Sequence, residues 1–218
     1  MKAVILASTL AESLDRWLLR RKRPNLSWLV SSLEKLAADE ILITSGNALK
    51  SRFSDWFERE RGRFQRPVTF RFHHDVTHSM EMDQLIRLVR HEGLRDSVLL
   101  VFLSGAVPLD IGGLKKDLYL HSYSPVVGIR KSDHDPVRGA VSIGARNRIT
   151  RFASAGERRE NELEPAGAYY FPERFLLDGI PVFLRSRSAI LPGFESFISW
   201  SVRNFKVYAH FFAARPGL

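Results

Sequence analysis

The spacing of apolar and polar residues divides the chain into two unlike stretches. Residues 3–7 form an unbroken apolar run led by Lys2. A short run without polar interruption fits a strand covered on both faces. A turn and a helical pattern follow at once, and a strand feeding a helix places a turn at the carboxyl edge of an open α/β sheet. Residues 27–38 carry Trp28, Leu29, Leu33 and Leu36 at helical spacing. Residues 41–44 read as a second buried strand, and Ser45, Gly46 and Asn47 turn the chain into a helix that runs to about Arg61, with Leu49, Phe53, Trp56 and Phe57 as its core stripe. Residues 67–73 alternate, with Val68, Phe70 and Phe72 on one face. Residues 80–91 predict a helix that turns Met82, Leu85, Ile86 and Val89 inward, and residues 98–103 are wholly apolar, as a central strand requires.

From Pro125 onward the rhythm changes. Residues 126–130, 140–143, 149–152 and 168–171 read as strands with no long helix between them, and residues 133–138 and 155–164 as exposed loops. Residues 198–202 have helical spacing, and residues 207–212 predict a last strand. No internal repeat or low-complexity linker interrupts the chain. The expectation is one α/β domain over residues 1–218, Rossmann-like, with a mixed, mostly parallel central sheet flanked by helices. The first strand should be central, beside residues 98–103.

Composition narrows the functional classes. Hydrophobic residues make up 44% of the 218 and charged residues 26%, as in a globular domain. There is no cysteine, which excludes disulfides and thiolate zinc sites. The opening apolar run is too short for a secretory h-region, no stretch is long enough to span a bilayer, and a cytoplasmic location is expected. The net charge is +9, which favours an anionic partner: nucleic acid, an acidic protein surface or anionic lipid. Part of that charge is concentrated in Arg16, Arg20, Arg21, Lys22 and Arg23, just before Pro24. Such a run is either a solvated helix end or an anion-binding rim.

The order of elements resembles the sugar-phosphate nucleotidyltransferase family, whose members join a nucleoside triphosphate to a sugar 1-phosphate and release pyrophosphate. Residues 1–7, MKAVILA, look like its first strand, and residues 38–43, ADEILI, like its second. Residues 98–110, VLLVFLSGAVPLD, look like the strand that ends at the catalytic metal. Residues 138–141, RGAV, are similar to its glycine-valine strand. Residues 149–152, ITRF, and 165–171, PAGAYYF, are similar to the segments that flank the sugar. The resemblance thus implies a pocket that includes Ser8, Thr9, Arg23, His74, Gly105, Ala106, Asp110, Gly139 and Gly167.

The chemistry such enzymes need is missing from several of these positions. The first turn should be glycine-rich, so that backbone N–H groups can approach a triphosphate without Cβ interference. Ser8, Thr9 and Ala11 stand at the glycine positions, and Glu12 and Ser13 where a threonine and a phosphate-binding arginine are expected. Arg23 replaces the lysine before the next proline and keeps the charge without its geometry. A base-reading glutamine and glycine give way to residues 73–79, HHDVTHS. Ala106 follows Gly105 where the metal-binding aspartate is expected; Asp110 lies four residues on. The sugar-binding Glu-Lys-Pro is replaced by Ala153, Ser154 and Ala155, and the sequence reaches Leu218 without the second metal aspartate.

The expected function is therefore a non-catalytic binding, regulatory or assembly subunit, without cofactor or metal. Its expected partner is a protein, either acidic or a catalytically competent relative. Two alternatives stay open: an atypical active transferase with relocated magnesium ligands, and a basic nucleic-acid-binding module. Among other constellations, His73, His74, Asp75 and His78 could suit zinc or iron, but adjacent strand residues point to opposite faces. Asp133, His134 and Asp135 resemble a glycosyltransferase metal motif but precede Pro136 in a loop. The aromatic residues mostly fall at core spacing, which does not indicate a base-stacking platform.

Overall fold

A computed structural model of the chain describes residues 1–7, 26–36, 38–73, 81–90, 95–103, 111–131, 139–153, 163–186 and 193–212. The first part alternates strand and helix: β1 (Lys2–Ala7), α1 (Leu26–Lys35), β2 (Glu40–Gly46), α2 (Lys50–Glu60), β3 (Val68–His73), α3 (Glu81–Arg90), β4 (Val98–Phe102) and α4 (Ile111–Leu120). There follow β5 (Val126–Lys131), β6 (Ala140–Ile143), β7 (Ile149–Ala153), β8 (Leu163–Phe171), α5 (Ile180–Arg185), α6 (Phe194–Asn204) and β9 (Tyr208–Phe211).

The strands form one sheet in the order β3-β2-β1-β4-β8-β5-β9, with β6 pairing both β8 and β7. β1 lies between β2 and β4, parallel to both, so Ile5 faces Ile43 on one side and Val101 on the other. β8 is antiparallel to β4 and to β5, and β9 is parallel to β5. The sheet is thus mixed and mostly parallel, with β1 and β4 adjacent near its middle, as the apolar runs predict.

The pleat explains why those runs have no polar member. Successive strand residues point to opposite faces. Val4 and Leu6 of β1 join Val98, Leu100 and Phe102 of β4 on one face, packed against α3, α6 and the β6–β7 hairpin. Ala3, Ile5 and Ala7 join Leu99 and Val101 on the other, under α1, α2 and α4. At the amino edge a polar clamp joins three strands. Glu40 of β2 is bonded by Lys2 of β1 at 3.1 Å and by the Thr69 hydroxyl of β3 at 2.9 Å.

The helices agree with their stripes in part. Phe53 and Trp56 of α2 are buried as expected, while Leu49 and Phe57 are half-buried at its margin. In α3, Met82 and Leu85 are buried together with Leu88, and Ile86 and Val89 are only half-buried. Three expectations are corrected. β8 begins at Leu163, not residue 168, so Glu164 lies buried in a strand and not in an exposed loop. Two helices were not read from the spacing. In α4 the buried apolar residues among the described side chains are Leu114 and Leu118, and the stripe is diluted by Gly112, Gly113, Lys115, Lys116 and Asp117. Before α6, a π turn over Phe175–Gly179 runs into α5, which carries Pro181 in its first turn, where a missing N–H is best tolerated. The loop expected at residues 133–138 lies outside the described residues.

α6 closes its face of the sheet through aromatic packing. Phe197 is fully buried and meets Phe171, Phe175, Phe183 and Trp200, with ring centroids 5.1–6.2 Å apart. Phe197→Ala should lower unfolding free energy by about 4 kcal/mol in urea titrations, whereas Phe205→Ala, at a ring already 39% exposed, should cost a fraction of that.

Glu40 gives a pH signature. Burial alone would raise its carboxyl, but the hydrogen bonds from Thr69 and Lys2 and the charges of Lys2 and Arg71 outweigh burial and hold it below its ordinary value of 4.5. A lowered folded pKa means stability that is present above the ordinary value and lost as pH falls through the folded one. Glu40→Gln should therefore be destabilising at neutral pH, and its stability curve should converge on the parent's as pH falls below 4.5 and through the lowered folded value.

Candidate functional site

In an open α/β sheet, ligands bind beyond the carboxyl ends of the strands, because each strand there hands over to a loop. The described residues define this edge. β1 ends at Ala7 and β2 at Gly46, and the buried Ser45 hydroxyl donates to the Ala7 carbonyl at 3.3 Å. The Leu103 N–H donates to the Leu6 carbonyl at 3.1 Å, so β1 and β4 stay joined to their last residues. β8 completes the edge. Its last pair with β4 joins Ala168 to Val101, so the residues before Ala168 run on past the end of β4. They pair next with β5 and, through Leu163, with Val141 of β6.

Of the residues the resemblance singles out, Gly139 and Gly167 are described, and both border this overrunning part of β8. Gly167 has φ 78° and Gly139 φ 85°, in the left-handed region that glycine tolerates best. At Gly139 there is a second constraint: a Cβ would run into the Ala153 carbonyl oxygen at the end of β7. Ala140 pairs with Ala153, which is itself buried. Where the family's sugar-binding glutamate is expected, the strand therefore ends on a buried methyl. Ser8, Thr9, Arg23, His74, Gly105, Ala106 and Asp110 lie outside the described residues, as do Arg16, Arg20, Arg21 and Lys22 and the side chain of His73.

Two polar pairs near this edge were not anticipated. Arg130 of β5 donates through Nε to Glu164 Oε1 of β8 at 2.5 Å, with Glu164 buried and Arg130 half-buried. His210 of β9, also buried, shares a 2.7 Å hydrogen bond through Nδ1 with Asp117 Oδ2 of α4. The β5–β9 register sets His210 opposite Gly128, two residues before Arg130. Residue parity puts both pairs on the α4 side of the sheet. The signal for Arg130 and Glu164 was the alternation of the strand, since Glu164 continues the Ala168–Ala166 face. Its register against β5 cannot be read from one chain in isolation. Among the described residues, no three His, Asp or Glu side chains converge, and no helix is long and apolar enough to cross a membrane.

This architecture is shared with known proteins. No protein-family model and no curated protein matches the sequence. Among solved structures, the chain is similar to a Bacillus anthracis protein described as a glucose-1-phosphate thymidylyltransferase, in complex with sucrose. The TM-score is 0.72 at 14% identity, over 98% of this chain and 87% of that one. It is also similar to the inositol-1-phosphate CTP transferase of T. maritima, with a TM-score of 0.69 at 12% identity, over 97% and 85% of the two chains. The chain therefore has the fold of the sugar-phosphate nucleotidyltransferases, and at these identities the likeness defines the fold alone.

Gly139→Ala tests the close approach at this edge. It combines a left-handed φ with a clash against backbone, and should destabilise by about 2–3 kcal/mol. Gly62→Ala, where a Cβ meets nothing within 4 Å, should change stability by well under 1 kcal/mol in the same thermal melts.

Proposed function

We propose that this chain is a non-catalytic nucleotidyltransferase-like protein that serves as a binding, regulatory or assembly subunit. The observation that carries this reading is Ala106. By the resemblance it stands just beyond β4, where a metal-binding aspartate is expected. Magnesium takes hard oxygen ligands in near-octahedral geometry, and a methyl group offers none. The other positions point the same way. Glu12 would repel a triphosphate, Ser8, Thr9 and Ala11 place Cβ atoms where close backbone approach is needed, and Ala153 ends β7 on a buried methyl. Asp110 alone would hold the ion weakly. The residues present do not fit a catalytic magnesium. Phosphoryl-type transfer relies on positioning and charge neutralisation, and this set supplies neither.

The partner in this reading is a protein, acidic or a catalytically competent relative of the same fold. The basic run of Arg16, Arg20, Arg21, Lys22 and Arg23 is its proposed contact, through complementary charge. The test is pyrophosphate release from nucleoside triphosphates and sugar 1-phosphates with magnesium. Neither the parent protein nor Ala106→Asp should turn over, because the first turn would still exclude the phosphates. Turnover by the parent at an ordinary enzymatic rate, on the order of 10 per second, would refute the proposal. Replacing Arg20, Arg21 and Lys22 together by glutamate should leave the melting temperature within about 2 °C. It should weaken capture of the acidic partner in a salt-dependent way.

A further inference from the structure

The end of α4 carries features that the carboxyl edge does not use. Helical spacing buries Leu114 and Leu118 and leaves Lys115, Lys116, Tyr119 and Leu120 exposed. Tyr119 is 85% exposed, and Tyr123, in the turn that follows, is 91% exposed. Between them in sequence, His121 lies flat against Tyr208 of β9, with ring centroids 3.8 Å apart and planes inclined by 12°. A tyrosine ring gains most of its stabilising energy from being covered, so these two bare rings contribute little to the fold.

Among the described residues, cations stand on both elements that meet at the His121–Tyr208 contact. Tyr208 forms a backbone bridge with Arg148, and Ile149 N–H donates to the Val207 carbonyl, which brings the β6–β7 turn alongside. Arg146 and Asn147 in that turn have φ 56° and 58°, and Arg146, Arg148 and the nearby Lys206 are exposed. The one carboxylate of α4, Asp117, is bonded to the buried His210.

We propose that this face binds a single-stranded nucleic acid, with bases stacked on Tyr119 and Tyr123 and phosphates on the surrounding cations. Every base offers a π-face to an exposed ring, whereas a duplex keeps those faces stacked internally. Cations beside the rings supply the sequence-independent attraction, in keeping with a chain of net charge +9. An acidic protein would use the cations but would gain no comparable stacking from the rings. The site is independent of the proposed lack of catalysis, since none of its residues lies in the implied pocket.

Fluorescence anisotropy of the full chain with labelled oligo(U) and oligo(dT), about 15 nucleotides long, tests the proposal. Saturable binding is expected, with a DNA duplex bound more weakly. Tyr119→Ala and Tyr123→Ala should each weaken binding about tenfold, while Tyr119→Phe and Tyr123→Phe should retain it. Lys115→Gln with Lys116→Gln should make the salt dependence shallower. Circular dichroism should show every variant folded, because these side chains are exposed. The proposal is overturned if the parent binds neither oligonucleotide at low salt, if the alanine variants bind as the parent does, or if polyglutamate competes as well as unlabelled oligonucleotide. The last two outcomes would assign the surface to charge alone, as an acidic protein would read it. Pyrophosphate release by the parent would refute the non-catalytic proposal and leave this one standing.

Discussion

Two-sided burial of β1 and β4 is the constraint on which the rest of the molecule depends. Both strands are covered above and below, so their buried positions must be apolar and each backbone polar group must find a partner within the sheet. The parallel ladders through Ile5, Ile43 and Val101 meet that need along the strands. A polar side chain in the middle of either strand would be buried without a partner, at a cost of about 1–3 kcal/mol. Chemistry is thereby confined to the strand ends, where backbone and side chains emerge together.

The insertion of β8 decides what the carboxyl edge looks like. Antiparallel to both neighbours, it enters the sheet from the edge at which β4 and β5 finish, so its early residues line that edge while its later residues fill the core. Gly167 and Glu164 reach the edge for this reason, and Tyr169 and Phe171 reach the aromatic cluster under α6. The Arg130–Glu164 bond joins two strands across a buried side chain. In that setting desolvation offsets much of the Coulombic attraction, and removal of one partner is more costly than the pair is stabilising. The charges at this part of the edge are thus committed to each other.

Much of this was legible from spacing. The unbroken runs of β1 and β4 and the alternation of β3 identified the sheet, because strand burial leaves a period-two or fully apolar trace. α4 left a faint one: among its described side chains two leucines are buried, and glycines and charges interrupt the spacing. Glu164 was misread because a carboxylate amid Arg158, Arg159, Glu160 and Glu162 looks solvated. Only the pairing with Arg130, set by a register that spans 34 residues, makes its burial tolerable. The exposure of Tyr119 and Tyr123 was hidden for a related reason. Aromatic residues usually mark a core, and no spacing rule shows which turn carries its rings into solvent. The site residues were named through resemblance and not through spacing; of these, Gly139 and Gly167 each adopt a backbone conformation that favours glycine.

A scaffold that holds its shape at 12–14% identity does so because the core asks only for apolar volume in the right period, which many sequences meet. Catalysis asks for particular atoms at particular strand ends, which few do. The two requirements can therefore separate: hydrophobic residues can drift among themselves and keep the sheet, while one change from carboxylate to methyl removes a metal ligand outright. The α4–β9 face sits outside both requirements. Tyr119 and Tyr123 of that proposed face are exposed and fill no part of the core. Likeness of fold therefore constrains the scaffold, and function has to be argued from the residues at each site.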